Sequence, residues 1–272
     1  MRAGLKNAGL KDVVALAAVT LMVAGAAGCS SSDDKGGGGD PVKGTIVLTD
    51  NSAYADKLVK FQEAEYVKIA GLPDQAAAKT VNDALRGPLD WSVKWASATL
   101  LPEQRTECKG RSSVIQTKVR LGLRKGEIIS ASNSIQMIPC FEGEGGLPNV
   151  PVTVDVKAGK ALTADDVFDS KTLEKKGLKK LWDALSGPKD DWKDCELDDI
   201  QKKDFSPGKR DGDPIESPAP AGVLFTEQGM ELIWSTTGTS CNNFTFTAPY
   251  DKVKDMINKD LYPRLLAGAA AK

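Results

Sequence analysis

Four cysteines, Cys108, Cys140, Cys195 and Cys241, have the most chemistry to offer in this chain, and histidine is absent from all 272 positions. Thiolates and imidazoles together build most zinc sites. Here no Cys-x-x-Cys pair occurs and no histidine can complete a tetrahedron, so the thiols point to disulfides and away from metal. The same absence removes the usual base of a serine or cysteine nucleophile. Ser130, Ser235 and Ser240 lie in neither a Gly-x-Ser-x-Gly nor a Ser-x-x-Lys pattern, which leaves them without a recognised means of activation. Asp165 and Asp166 could share acid–base work as adjacent carboxylates. Thr163, three residues ahead of Asp166, favours a helix-capping role instead. Asp190, Asp191, Asp194, Asp198 and Asp199 lack the alternating spacing of a calcium loop and read as a solvated acidic loop. Trp91 and Trp95 could stack on a sugar ring, although core packing is the favoured reading. Gly143-Glu144-Gly145-Gly146 has no following lysine and reads as a turn, not a phosphate cradle. No catalytic residue, metal or cofactor is assigned.

The first residues speak to compartment. Arg2, Lys6 and Lys11 precede a fifteen-residue apolar run, Val13 to Ala27, shorter than the roughly 20 residues that a membrane span needs, so residues 1–28 read as a secretion signal. The signal ends Ala26-Ala27-Gly28-Cys29, which resembles the lipobox of bacterial lipoproteins, and that resemblance implies a diacylglyceryl group on Cys29 after cleavage before it. Serines, charged residues and four glycines, Gly36 to Gly39, follow. They can bury nothing, so residues 29–42 are expected to be a flexible tether with a reach of about 20 Å. Two acyl chains satisfy the two-signal rule for stable anchoring. The expected location is therefore the extracytoplasmic face of the cell membrane, with the membrane engaged through lipid. Thirty-six basic residues against thirty-seven acidic ones leave no excess to neutralise a phosphate backbone, so nucleic acid is not an expected partner.

Export and an even count agree on two bridges. Four cysteines allow three pairings. Cys108 and Cys140 bracket two alternating stretches, Ser113 to Leu123 and Glu127 to Ile138, while Cys195 and Cys241 fall in the later half. Cys108–Cys140 with Cys195–Cys241 is the favoured pairing.

The elements that must position these residues follow from periodicity. Thr45 to Thr49 and Glu65 to Ile69 read as short strands. Asp74 reads as the N-cap of a helix carrying Val81 and Leu85 that stops at Gly87-Pro88. The two stretches between the first cysteine pair form a hairpin around Arg124-Lys125-Gly126. Val150 to Val156 adds a strand with its odd-numbered positions' neighbours Val152, Val154 and Val156 on one face, and Lys157 to Lys160 turns out of it. Helices are predicted over 164–168, 172–185 and 250–257, with strands over 222–226, 230–235 and 244–247. The proline-rich stretch from Asp204 to Ala221 reads as a loop. Such an order predicts an α+β fold, antiparallel sheet with helices packed on one side, stapled by disulfides. Its parts are residues 43–160 and 161–272.

The run Val152-Thr-Val-Asp-Val through Thr163-Ala-Asp-Asp-Val-Phe168, then Gly222 to Trp234, then Phe246-Thr-Ala-Pro-Tyr250 and Val253, resembles the extracytoplasmic domain of the RsiV-type anti-sigma factors. That domain is also found beside a peptidoglycan deacetylase domain and in a secreted mycobacterial immunogenic antigen. The similarity in element order spans roughly Thr45 to Leu266, with its motifs mainly in the second half. It implies an α+β module that recognises ligands or proteins outside the membrane, lysozyme being the partner of the anti-sigma members, and it does not imply catalysis. Family members often carry Gly-Gly-Ala-His after the strand that ends here in Ile129-Ser130. This chain has Cys140-Phe-Glu-Gly-Glu-Gly-Gly146 instead, so no role of that histidine transfers. No anti-sigma segment stands ahead of the leader, so the signalling role is not expected either. The expected function is a non-catalytic binding or interaction module at the cell envelope, engaging a secreted protein or cell-wall material. The alternative is an envelope hydrolase acting on an ester or on peptidoglycan, which would need two carboxylates facing each other across a cleft.

Overall fold

The computed structural model describes residues 44–143, 145–209, 213–238 and 241–271. The secretion signal, the tether and Cys29 lie outside these residues. Residues from 44 onward belong to one compact unit. A short antiparallel ribbon opens it, β1 (Thr45–Asp50) pairing with β4 (Ala64–Ile69) around β2 (Ala53–Tyr54) and β3 (Val59–Phe61). Helix α1 (Gln75–Ala98) follows, then α2 (Pro102–Cys108), the hairpin β5 (Ser113–Leu121) and β6 (Ile128–Ile138), and the short β7 (Gly145–Gly146), β8 (Val150–Asp155) and β9 (Lys160–Ala161). A seven-stranded sheet runs β2-β3-β5-β6-β8-β9, with β7 also on β6. Every pairing is antiparallel except β3 with β5, which is parallel. The sequence parts divided after Lys160 meet at β9, which straddles that point.

The second part carries α3 (Ala164–Val167), α4 (Lys175–Ala184), α5 (Lys189–Asp194), the meander β10 (Ala221–Phe225), β11 (Gly229–Trp234) and β12 (Phe244–Pro249), then α6 (Tyr250–Val253) and α7 (Tyr262–Ala270). The fold class is thus α+β with antiparallel sheets, packed helices and two stapled cysteine pairs.

Helix α1 begins where expected, because the Asp74 carboxylate accepts from the N–H groups of Ala76 at 2.8 Å and Ala77 at 3.3 Å and so satisfies two donors of the first turn. It does not stop at Gly87-Pro88. Pro88 sits inside the helix, costing one ladder bond. The stripe Val81, Leu85, Leu89, Val93 and Ala96 is buried throughout, and burying its second half on the sheet outweighs that loss. Below the helix lie Ile115 of β5, Ile129, Ala131, Ile135 and Met137 of β6, and Val154 of β8. All project to one side of the pleat, as period-two alternation requires.

Three other expectations need correction. The helix foreseen from Thr172 begins only at Lys175. The acidic residues Asp190, Asp191 and Asp194 belong to α5, where the first two occupy its first turn beside the positive end of the helix dipole, and not to a loop. The final helix ends at Val253, and a separate helix, α7, closes the chain beyond it.

A larger core lies around β10–β12. Trp192 of α5 meets Trp182 at 5.3 Å, Trp234 at 5.0 Å, Phe244 at 5.5 Å and Phe246 at 5.7 Å between ring centroids, mostly in tilted or edge-on geometry that suits aromatic quadrupoles.

Candidate functional site: an amide-lined cleft on the long hairpin

The two faces of β6 decide where a site can lie. On its first half even the outward positions are covered. Ser130 is fully buried, its Oγ lies 2.7 Å from the Thr153 hydroxyl, and it accepts the N–H of Phe225 at 3.0 Å. Thr153 in turn donates to the Val223 carbonyl at 3.1 Å. Gly122 permits the same approach from the hairpin, since a Cβ there would stand 2.0 Å from the Phe225 carbonyl oxygen. The meander thus closes over residues 128–132, and Ser130 is a fastener between two sheets without access for a substrate.

Past Ser132 the cover ends. Arg120 and Glu231 close the border with a bidentate ion pair. Beyond it a cleft of about 470 Å³ opens over the exposed face of β5 and β6, within the size range of small-ligand sites. The register places Gln116 directly opposite Gln136, and Lys118 opposite Ser134. These four side chains form the floor. Gln62 and Glu63 stand on one side, with Leu147, Asn149, Gly238 and Asn243 on the other. Among the described residues, the side-chain amides of Gln62, Gln116 and Gln136 have no hydrogen-bond partner within the protein, so six amide donor and acceptor groups face the cleft free.

Charge in the cleft is balanced. The Glu65 carboxylate is held below its ordinary pKa, first by a 2.8 Å hydrogen bond from Lys118 Nζ and then by the N–H of Val119 at 2.9 Å. The pair also raises the Lys118 pKa. Lys118 is accordingly a fixed cation with its counter-ion attached, and it cannot serve as a neutral base near pH 7.

The far wall is held by a chain of polar contacts. Asn149 donates its N–H to Ser235 Oγ at 2.7 Å, Ser235 donates to Asn243, and the N–H of Thr236 donates to Asn242 Oδ1 at 2.6 Å. Gly238 donates its N–H to the Gly146 carbonyl at 3.2 Å. Gly146 has to be glycine, because a Cβ there would lie 2.1 Å from the Gly238 carbonyl oxygen. The run from Gly145 is therefore short strand and close backbone contact. Ser240 lies outside the described residues.

The structure joins Cys108 to Cys140 with a Cα separation of 4.9 Å, and Cys195 to Cys241 at 5.6 Å. The first bridge is buried with Leu100, and it locks the end of β6 to the end of α2. The second is exposed at Cys241 and ties the loop carrying the cleft wall to α5. Both serve position, and neither thiol is free to react.

The other candidate residues disperse. Asp166 accepts from the Thr163 N–H at 2.9 Å and the Thr163 hydroxyl at 2.8 Å, so it caps α3; Asp165 pairs with Lys202 at 2.6 Å. Burial would raise the Asp166 pKa, but its bonds to Lys160 and Thr163 outweigh that and lower it. Trp91 donates to the Glu216 carbonyl at 2.9 Å and packs with Trp95 against the α1 side of the sheet, away from the cleft. No cluster of three or more metal-type ligands occurs among the described residues, and no described helix is long and apolar enough to cross a membrane. A second, apolar groove of about 340 Å³ follows the β8–β10 seam, lined by Val152, Leu162 and Val223. It offers no free polar group and reads as imperfect packing between the sheets.

The cleft residues Gln62, Gln116, Gln136, Asn149 and Asn243 were not singled out by the sequence motifs. Their only signal was polar residues alternating with apolar ones along β5 and β6, which marks an exposed face and says nothing of what lies over it.

Fold and cleft together define a disulfide-stapled α+β domain with a neutral, hydrogen-bonding depression on its main sheet. No protein-family model matches the chain, and no curated protein matches it. Two solved structures are similar over most of its length. A DUF3298 family protein from Bacteroides fragilis matches with a TM-score of 0.46 and 10% identity, covering 82% of this chain and 96% of the other. A DUF3298 family protein from Pseudomonas aeruginosa matches with a TM-score of 0.43 and 16% identity, covering 80% and 93%.

Proposed function

We propose that this protein is a non-catalytic binding module held at the extracytoplasmic face of the cell membrane by a lipid on Cys29, and that it engages an envelope ligand through the amide-lined cleft. The observation that carries the reading is the floor of the cleft: free side-chain amides in a charge-balanced depression on a rigid sheet. Amides bind by donating and accepting in one plane, and they do not activate water. The nearest titratable groups are Glu63 and the Lys118–Glu65 pair, and the pair is locked in its ionised form. The leader, the small residues before Cys29 and the glycine tether support the anchor.

Two measurements test it. The Cys29→Ala variant should lose metabolic lipid labelling and leave the membrane fraction; unchanged membrane retention would remove the anchor. Envelope material captured by the full chain should fall at least tenfold in the Gln116→Ala/Gln136→Ala double variant. Equal capture would detach function from the cleft.

A further inference from the structure

We infer that the ligand class of the cleft is a neutral glycan bearing acetamido groups, an inference that rests on the binding-module reading and names its ligand. Elimination among ligand chemistries carries it. An anionic ligand would need an uncompensated cation, yet Lys118 is spent on Glu65 and Glu63 stands at the rim; the local charge would repel an anion or leave it unmatched. A peptide bound as an added strand would need a free sheet edge. The edges around the floor are closed: β3 pairs Ser113 to Ile115, the Gln62 N–H donates to the Ile115 carbonyl at 3.0 Å, Glu65 takes the Val119 N–H, and Gly238 takes the Gly146 carbonyl. A peptide held by its side chains would need an apolar anchor pocket. The apolar residues lining the cleft, Ile135 and Leu147, are both only 4% exposed, so nothing deeper than a methyl group can rest on them.

What remains is a ligand that presents several donor–acceptor pairs at neutral charge. Vicinal hydroxyls and acetamido groups do so, and each matches the two-point face of a glutamine amide. Gln116 and Gln136 lie directly across the ladder, about 5 Å apart at Cβ, close enough to contact one sugar residue together. Gln62 and Asn149 on the walls can reach the neighbouring residue of an oligomer. The acetamido methyl accounts for the small apolar surface at Leu147.

The test titrates the full chain in detergent with a tetramer of N-acetylglucosamine, a tetramer of glucose and a neutral tetrapeptide, read by calorimetry. Saturable binding of the N-acetylated tetramer, at least tenfold tighter than the glucose tetramer, is expected. Gln116→Glu and Gln136→Glu keep the side-chain shape while removing the donors, and each should weaken binding at least tenfold with an unchanged melting temperature. Absence of saturation by the N-acetylated tetramer, or affinity indifferent to both substitutions, overturns the glycan class. If the tetrapeptide alone binds in a glutamine-dependent manner, the glycan class falls while the binding module stands. If glutamine-dependent capture of envelope material fails as well, both fall.

Discussion

Strand β6 is two environments on one backbone. From Ile128 to Asn133 every residue is buried; from Ser134 to Ile138 buried and exposed positions alternate. The inner face is the same along the whole length, packed under α1. The outer face differs because the β10–β12 meander covers only the first half, seated by Ser130 and Thr153 and bordered by Arg120 and Glu231. A covered sheet face must satisfy its polar groups internally, and these hydroxyls do. An uncovered face can leave amides free at no desolvation cost, and those amides are then available to a ligand. Stability is therefore concentrated in the covered half and recognition in the open half, and the two respond differently to substitution.

The largest effect is expected in the aromatic core behind the cover. Trp192→Ala empties a site touched by Trp182, Trp234, Phe244 and Phe246, and should cost roughly 3–5 kcal/mol by urea denaturation. A loss below about 1 kcal/mol would mean that the meander does not carry the stability assigned to it.

The staples come next. Bridges closing loops of 32 and 46 residues are each worth about 4 kcal/mol by chain entropy, with 2–4 kcal/mol typical in practice. They differ in access. Cys108 is fully buried and Cys140 is 7% exposed, whereas Cys241 is open to solvent. Dithiothreitol without denaturant should reduce Cys195–Cys241 first, freeing the cleft wall while the hairpin bridge persists. Mass mapping of alkylated thiols reads the order, and reduction of Cys108–Cys140 first would reverse the comparison.

A smaller effect belongs to Arg264, which joins α7 to the covered end of the sheet. It donates twice to Asp155, at 2.7 Å each, and once to Glu127 at 2.6 Å. Burial alone would raise the Asp155 pKa, but the bonds from Arg264 outweigh it and hold the carboxyl below its ordinary value. The folded state therefore binds fewer protons at this group than the unfolded state. Its stabilisation is complete above an unfolded carboxylate pKa of about 4 and disappears as pH falls through the lower folded value. Arg264→Ala should cost about 2–3 kcal/mol at pH 7, less than a fully enclosed pair because Arg264 remains partly solvated, and it should flatten the acid limb of the stability profile. An acid limb as steep as in the parent would assign the effect elsewhere, with Glu65 and Asp166 as the remaining lowered carboxyls.

What the sequence disclosed follows the same division. Alternation placed the strands, Asp74 announced its helix, and the cysteine positions suggested both pairings, because each of these signals is local. Pro88 misled for the opposite reason: propensity read one lost hydrogen bond, while the outcome was set by Leu89, Val93 and Ala96 packing on strands far along the chain. Likewise Ser130 and Ser134 are indistinguishable as serines four residues apart on one strand. Only the position of the meander, contributed by residues some ninety places later, makes one a buried fastener and the other part of an open floor.

The smallest stability effect is expected at the cleft, and there a near-null result is informative. Gln116→Ala and Gln136→Ala remove exposed or half-exposed side chains with no partner among the described residues. No cavity forms, no buried group loses a hydrogen bond, and surface substitutions of this kind stay within about 0.5 kcal/mol. The two residues face each other across the ladder, so their effects need not add, but even a coupled pair should remain near 1 kcal/mol. Unfolding of the double variant, followed by circular dichroism in urea, should therefore overlay that of the parent. If it loses 2 kcal/mol or more, the glutamines are part of the scaffold, and the division of β6 into a stabilising half and a recognising half does not hold.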